Sequence, residues 1–173
     1  EEESRKKFKK LVFVSNHQMH TFCMGLGVPY DNCHVMRNAI DPVQPKLINK
    51  PDPKKEIRLI YHTTPHRGLE LLVPVFEFLC KEHDNLHLDI FSSFEIYGWK
   101  HRDKQYEQVF ETCQKHPNIT YHGFQPHDKV VEALGKAHIF AFPSIWVETS
   151  CIAAIEAMSA KCLTVTNNLG ALP

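Results

Sequence analysis

Hydrophobic and polar positions along this chain follow two periods in turn. Short runs rich in β-branched and aromatic residues recur, and between several of them apolar residues fall three and four apart. Residues 11–14, 33–36, 57–61, 86–91, 119–121, 138–142 and 162–166 read as strands. Residues 68–81 read as a helix with Leu69, Leu72, Phe76 and Leu79 on one face and a kink expected at Pro74. Asp103 is expected to cap a helix that turns Tyr106, Phe110 and Cys113 inward. Residues 128–134 form a helix ended by Gly135, and residues 149–160 a strongly apolar one. Residues 38–55, with four prolines among polar side chains, read as a linker after which a new unit starts.

Strands alternating with helices at this spacing predict an α/β, Rossmann-like parallel sheet with helices on both faces, because each crossover must return the chain to start the next strand in the same direction. Ligands in such sheets lie outside the carboxyl ends of the strands. The candidate site is therefore formed by the loops after Tyr61, Phe91, Tyr121, Phe142 and Thr166.

Composition narrows the choice of ligand and location. The chain has 173 residues, and twenty Lys and Arg balance twenty Asp and Glu, so no broad positive field exists to capture nucleic acid or an anionic membrane. The longest mostly apolar run, residues 138–147, is broken by Pro143 and is far shorter than the roughly 20 residues that span a bilayer. Glu1-Glu2-Glu3-Ser4 followed by Arg5-Lys6-Lys7 gives no apolar leader, so a cytoplasmic location is expected. The six cysteines contain no C-x-x-C pair, which argues against a disulfide scaffold. His17, His20, Cys23, Cys33 and His34 offer nitrogen and sulfur atoms for a zinc ion, but their spacing matches no finger, and no metal site is expected.

Two constellations carry candidate chemistry. Glu148 precedes Thr149 and Ser150, which are placed to open a helix whose free N–H groups and positive end suit a phosphate. Glu156 is the sole charged group between Glu148 and Lys161. On one continuous helix the two carboxylates stand about 12 Å apart along the axis and about 80° apart around it, so one long ligand reaches both. The plain alternative makes Glu148 a cap and pairs Glu156 with a neighbouring cation. In the second constellation, His62, Thr63, Thr64, Pro65, His66 and Arg67 lead into Gly68, a residue that permits close backbone approach. Arg67 there fits a diphosphate, or is an ordinary surface arginine. A third loop, residues 121–126 with Gln125, either lines a nucleobase or is a simple turn. No G-x-G-x-x-G follows a predicted strand, which excludes the dinucleotide fingerprint of oxidoreductases.

The E-x(7)-E run from Pro143 to Met158 resembles the donor-binding motif of glycosyltransferase family 4, retaining enzymes of the GT-B fold. Arg67-Gly68-Leu69, Ile119-Thr120-Tyr121-His122-Gly123 and Arg37-Asn38-Ala39-Ile40-Asp41-Pro42 match the same family in the same order. The resemblance implies one half of a GT-B fold: residues 1–56 would be the end of an N-terminal domain plus linker, and residues 57–173 an incomplete nucleotide-sugar-binding domain. It implies a UDP- or GDP-sugar as partner, no cofactor, transfer with retention and an acceptor the chain does not disclose. Glu148 and Arg67 would be the catalytic pair, with Arg67 neutralising the leaving diphosphate and Glu148 holding the transferred sugar. Glu156 would bind the ribose, the backbone from Thr149 to Cys151 the sugar and distal phosphate, with His62, Thr64, Gly68, Ser150 and Gln125 also against the donor. The family usually carries arginine near His62 and lysine at Arg67, so this pair implies phosphate stabilisation that is weaker or depends on pH. The competing reading is a non-catalytic module that binds a nucleotide-sugar.

Overall fold

The structure, a computed structural model, describes residues 2–173. After a short helix α1 (Glu2–Arg5), strand β1 (Leu11–Phe13) pairs in parallel with β2 (Cys33–Val35), and helix α2 (Asn16–Leu26) connects them. The hydrophobic pattern does not announce α2, yet its start and stop are written in the chain. Ser15 Oγ accepts from the Gln18 N–H at 3.0 Å, and Gln18 Oε1 accepts from the Val14 N–H at 3.0 Å. Gly27 ends the helix in the left-handed region at φ 62°.

The larger sheet has five parallel strands: β3 (Ile57–Tyr61), β4 (Leu86–Ile90), β5 (Ile119–Tyr121), β6 (Ile139–Phe142) and β7 (Leu163–Thr166). Their order is β5-β4-β3-β6-β7, with Ile57 opposite Leu86, Leu88 opposite Ile119, Leu59 opposite Ile139 and Ile139 opposite Leu163. Successive strands step one way from β3 and the other way from β6. Right-handed crossovers then place α3 (Leu69–Leu79) and α4 (Glu107–Lys115) together on one face, and α5 (His127–Lys136) and α6 (Ile152–Ser159) together on the other. Ile60, Tyr61, Leu88, Ile90, Phe140 and Phe142 are fully buried between these layers, against Leu69, Val73 and Phe76 of α3 and Leu134 and Ala157 of the opposite helices. Each such large side chain contributes about 1.5–3 kcal/mol by leaving water.

Several local expectations change on contact with tertiary structure. Helix α3 continues through Pro74. Asp103 does not cap α4; its carboxylate accepts from Ser93 Oγ at 2.5 Å and from the Phe94 N–H at 2.8 Å, pinning the turn after β4. Gly135 lies inside α5, where a Cβ would stand 2.0 Å from the Leu47 carbonyl oxygen, so it serves helix-to-connection packing and not helix termination. The connection of residues 38–55 is strapped to the domain: Val43 is buried and its N–H donates to Ser159 Oγ at 2.9 Å, while His138 Nε2 lies 3.0 Å from the Pro51 carbonyl. Helix α6 starts at Ile152, not at Thr149, and is not buried all round, since Ile152 and Met158 are 46% and 57% exposed. The helical rise expected between Glu148 and Glu156 therefore does not apply, because four of the intervening steps are loop.

Candidate functional site

The strand order reverses direction between β3 and β6, and the crevice at their carboxyl ends is where ligands settle in open parallel sheets. Two glycines shape it. At Gly68 the chain adopts φ 111°, and a Cβ there would fall 2.1 Å from the Pro143 carbonyl oxygen, so the loop after β3 presses directly on the loop after β6. Gly170 does the same below Glu148, with φ 65° and a would-be Cβ 2.5 Å from the Glu148 carbonyl oxygen.

Between these loops opens a cleft of about 360 Å³. Its walls bring together His62, Thr64, Arg67, Gln125, Ser150, Cys151 and Glu156 from the residues the sequence singles out. Three others stand elsewhere. Glu148 is behind the wall, 3% exposed, with Oε1 accepting from Arg67 Nη1 at 2.5 Å. Gly68 is beneath Pro143, and Thr149 is exposed at the surface. Phe91, Ser92, Ser93, Ile96, Tyr97 and His127 also line the cleft and escape sequence reasoning as individuals, although the loop after Phe91 is expected to contribute. The serines carry the available signal, a polar pair directly at a strand's carboxyl end.

The polar inventory of this cleft is unbalanced. His62 Nε2, Thr64 Oγ1, Ser92 Oγ and Arg67 Nε are buried and make no hydrogen bond to protein. Buried polar atoms in native structures are nearly always paired, so four around one cleft point to a polar ligand. Burial pushes the His62 imidazole down to about 4, with the nearby His127 charge lowering it further against a hydrogen bond to the Ala153 backbone. At neutral pH it is an uncharged donor or acceptor, so it supplies no titrating cation near pH 7. His66 is lowered by burial and by the charges of Arg67 and Arg102; its ring stacks on Phe94 at 5.2 Å and meets Trp146 edge-on at 5.1 Å.

Glu148 and Glu156 differ in kind. Burial raises the Glu148 carboxyl above its ordinary value, a push that the Arg67 charge and hydrogen bond reduce without cancelling. Glu156 faces the cleft, with Oε1 2.7 Å from Nε2 of the exposed His127 and Oε2 3.9 Å from His62 Nδ1. Beyond it, α6 begins with Ile152 and Ala153 lining the cleft beside Ser150, whose Oγ accepts from Asn38 Nδ2 at 3.0 Å. Among the described residues no group of three or more His, Cys, Asp or Glu is arranged to hold a metal; Cys23 and Cys33 lie 3.6 Å apart without further ligands. No described helix is long and apolar enough to cross a membrane.

A five-stranded parallel sheet with helices on both faces and a cleft at its switch point is a Rossmann-like half of a GT-B fold. Residues 42–173 match the family described as glycosyl transferases group 1, and the chain belongs to that family. It is 30% identical over 116 residues to a phosphatidylinositol N-acetylglucosaminyltransferase subunit of Arabidopsis thaliana, covering 67% of this chain and 24% of the relative. A solved glycosyltransferase from Rickettsia africae matches with a TM-score of 0.70 at 18% identity, over 94% of this chain and 45% of that one. Anabaena Alr3699/HepE, solved in complex with UDP-glucose, matches with a TM-score of 0.69 at 15% identity, over 94% of this chain and 45% of its own. The chain thus spans about a quarter of the plant relative and less than half of these two solved chains.

Proposed function

We propose that the chain is the donor-binding part of a glycosyltransferase of the family 4 type, which takes a sugar from a nucleotide-sugar and transfers it with retention. The observation that carries this reading is the set of unpartnered buried polar atoms on His62, Thr64, Ser92 and Arg67 around a cleft at the sheet's switch point. The nucleobase rests against Phe91 and the Gly123–Gln125 loop, the ribose hydroxyls donate to Glu156, and the diphosphate meets Arg67 and the first N–H groups of α6. Arg67 and the helix terminus then stabilise the charge that develops on the leaving diphosphate. Glu148 fixes Arg67 through Oε1 and acts on the donor by holding that guanidinium in place.

A UDP-sugar is the preferred donor, supported by the UDP-glucose complex of the Anabaena neighbour, with a GDP-sugar second. The name of the plant relative supports N-acetylglucosamine as the sugar and phosphatidylinositol as the acceptor of the whole protein. In this reading residues 1–56 belong to the acceptor-side domain and its linker, and residues 57–173 to the donor domain.

Titration of the folded chain with UDP- and GDP-sugars by calorimetry tests the reading, with saturable heats expected for at least one donor. Heats equal to dilution for every donor contradict it. One observation favours the second reading, a non-catalytic nucleotide-sugar-binding module: position 62 offers a neutral imidazole where the family pattern has a cation, which leaves less charge to stabilise a leaving group. Donor binding without transfer or hydrolysis, in a longer chain that includes the acceptor-side domain, selects that module.

A further inference from the structure

We propose that Asp89, a residue outside the nucleotide cleft, is a positioning residue for its base end and acts through His122 and Phe91. The proposal rests on the nucleotide-sugar reading above. Phe91 and Gln125 are shared walls: each lines the main cleft and also a second cavity of about 270 Å³, whose other walls include Arg58, Asp89, His122 and Lys129. Whatever holds these two residues from behind sets the surface the base meets in front.

His122 is that support, held through its ring, its Nε2 and its backbone. Its ring lies flat on the Phe91 ring, with centroids 4.1 Å apart and planes 7° from parallel. Its Nε2 is 2.8 Å from Asp89 Oδ1. Its backbone N–H donates to the Ile90 carbonyl at 2.8 Å, and its carbonyl accepts from Gln125 Nε2 at 3.0 Å. Gly123 follows at φ 64°, turning the chain so that Phe124, 45% exposed, stands at the cleft.

Asp89 is in turn immobilised. Arg58 Nη1 donates to its Oδ2 at 3.0 Å, while Arg58 Nε donates to Glu56 Oε2 at 2.8 Å and the Arg58 N–H donates to His138 Nδ1 at 3.0 Å. His87 Nε2 is 3.9 Å from Asp89 Oδ1, and from α5 the charged groups facing this cavity are Lys129, Glu132 and Lys136, with Lys129 paired to Glu132. Burial raises the Asp89 carboxyl, but the His122 hydrogen bond and the charges of His87, Arg58 and His122 outweigh it and hold it below its ordinary value. A carboxylate 7% exposed in the middle of β4 costs stability unless fully partnered. Its partners here fix one imidazole edge, and the imidazole fixes the aromatic ring on which a base can stack. Stacking energy depends on ring orientation, so a Phe91 free to rotate loses part of it.

The test is calorimetric affinity for UDP and for inorganic pyrophosphate, measured on the wild-type chain, Asp89→Ala, His122→Phe and the double variant. His122→Phe keeps a ring against Phe91 and removes only the grip of Asp89. Each single variant is expected to weaken UDP binding about five- to tenfold, as loss of one hydrogen-bonded restraint does, with pyrophosphate affinity within about twofold of wild type. The double variant is expected to be no weaker than the worse single, because both act through one ring. Unchanged UDP affinity in the folded variants overturns the proposal, and so does an equal loss for UDP and pyrophosphate, which marks general structural damage. A wild-type chain that binds pyrophosphate but no nucleotide removes the underlying reading instead, an outcome separate from insensitive variants of a chain that binds UDP.

Discussion

The loop that carries Glu148 and the helix that carries Glu156 come from one short stretch of chain, and the structure gives their carboxylates opposite circumstances. Glu148 is sealed in, paired with Arg67 at 2.5 Å and held from below by Gly170. Glu156 looks into the cleft, and its nearest partner is His127, whose side chain is 70% exposed. The first carboxylate is spent inside the protein and acts by aiming an arginine. The second is available, because a ligand hydroxyl can displace a solvent-exposed imidazole at small cost. Equal residue types at the two ends of one motif therefore do different work, and burial decides which.

The largest expected effect comes from the contact that creates the sealed region. Gly68→Ala places a methyl 2.1 Å from a backbone oxygen at φ 111°, so a destabilisation above about 4 kcal/mol, or failure to fold, is expected in urea denaturation. Stability within about 1 kcal/mol of wild type means the two loops do not meet as described.

Next comes Glu148→Ala, which leaves Arg67 unpaired. Removing one member of a buried pair costs about 3–5 kcal/mol, and the lower end is expected because the Arg67 side chain is 22% exposed. A loss below about 1 kcal/mol would falsify the sealed-pair description.

A comparable effect belongs to His62 and appears only with pH. Its folded value near 4 lies below the ordinary 6.5, so the unfolded chain binds the proton first as pH falls. Its contribution is fully present above pH 6.5 and is lost progressively toward pH 4, to a maximum of about 3 kcal/mol. His62→Gln should flatten the stability profile in that window, and an unchanged slope contradicts a buried neutral imidazole.

The smallest stability effect is expected at the open carboxylate. Glu156→Gln preserves the hydrogen-bonding shape of a side chain 13% exposed beside a His127 side chain 70% exposed, and should change unfolding free energy by less than about 1 kcal/mol while lowering UDP affinity about tenfold through loss of a charged acceptor. The reverse pattern, a large stability loss with unchanged affinity, makes Glu156 structural.

Much of the fold is legible in the chain because it rests on local patterns. Each strand of the five-stranded sheet lies within one residue of its expected bounds, since runs such as 59–61 and 139–142 must be apolar to sit between two helix layers. Boundaries set by distant contacts are not legible. Nothing near Asp103 says that it will bond Ser93 and Phe94, and nothing near Gly135 says that Leu47 will lie on it. The start of α6 misleads for the same reason: Thr149 and Ser150 look like its first residues, but the chain there is a loop tied to Asn38 through Ser150 and to Ala171 through the Glu148 carbonyl. At the cleft, single-residue chemistry is readable in Arg67 and Glu156, whereas the contributions of Ser92, His127 and Asp89 depend on which strands become neighbours.

One residue bears most of the functional reading: the neutral His62, which lines the cleft assigned to a nucleotide-sugar and whose buried Nε2 has no protein partner. Nitrogen-15 NMR of the His62 imidazole at pH 7, before and after addition of a UDP-sugar, probes that atom itself. A neutral ring is expected in the free chain, with an Nε2 resonance that shifts as the donor saturates. A charged ring in the free chain, or a neutral one whose resonance stays fixed while the donor binds, contradicts the reading.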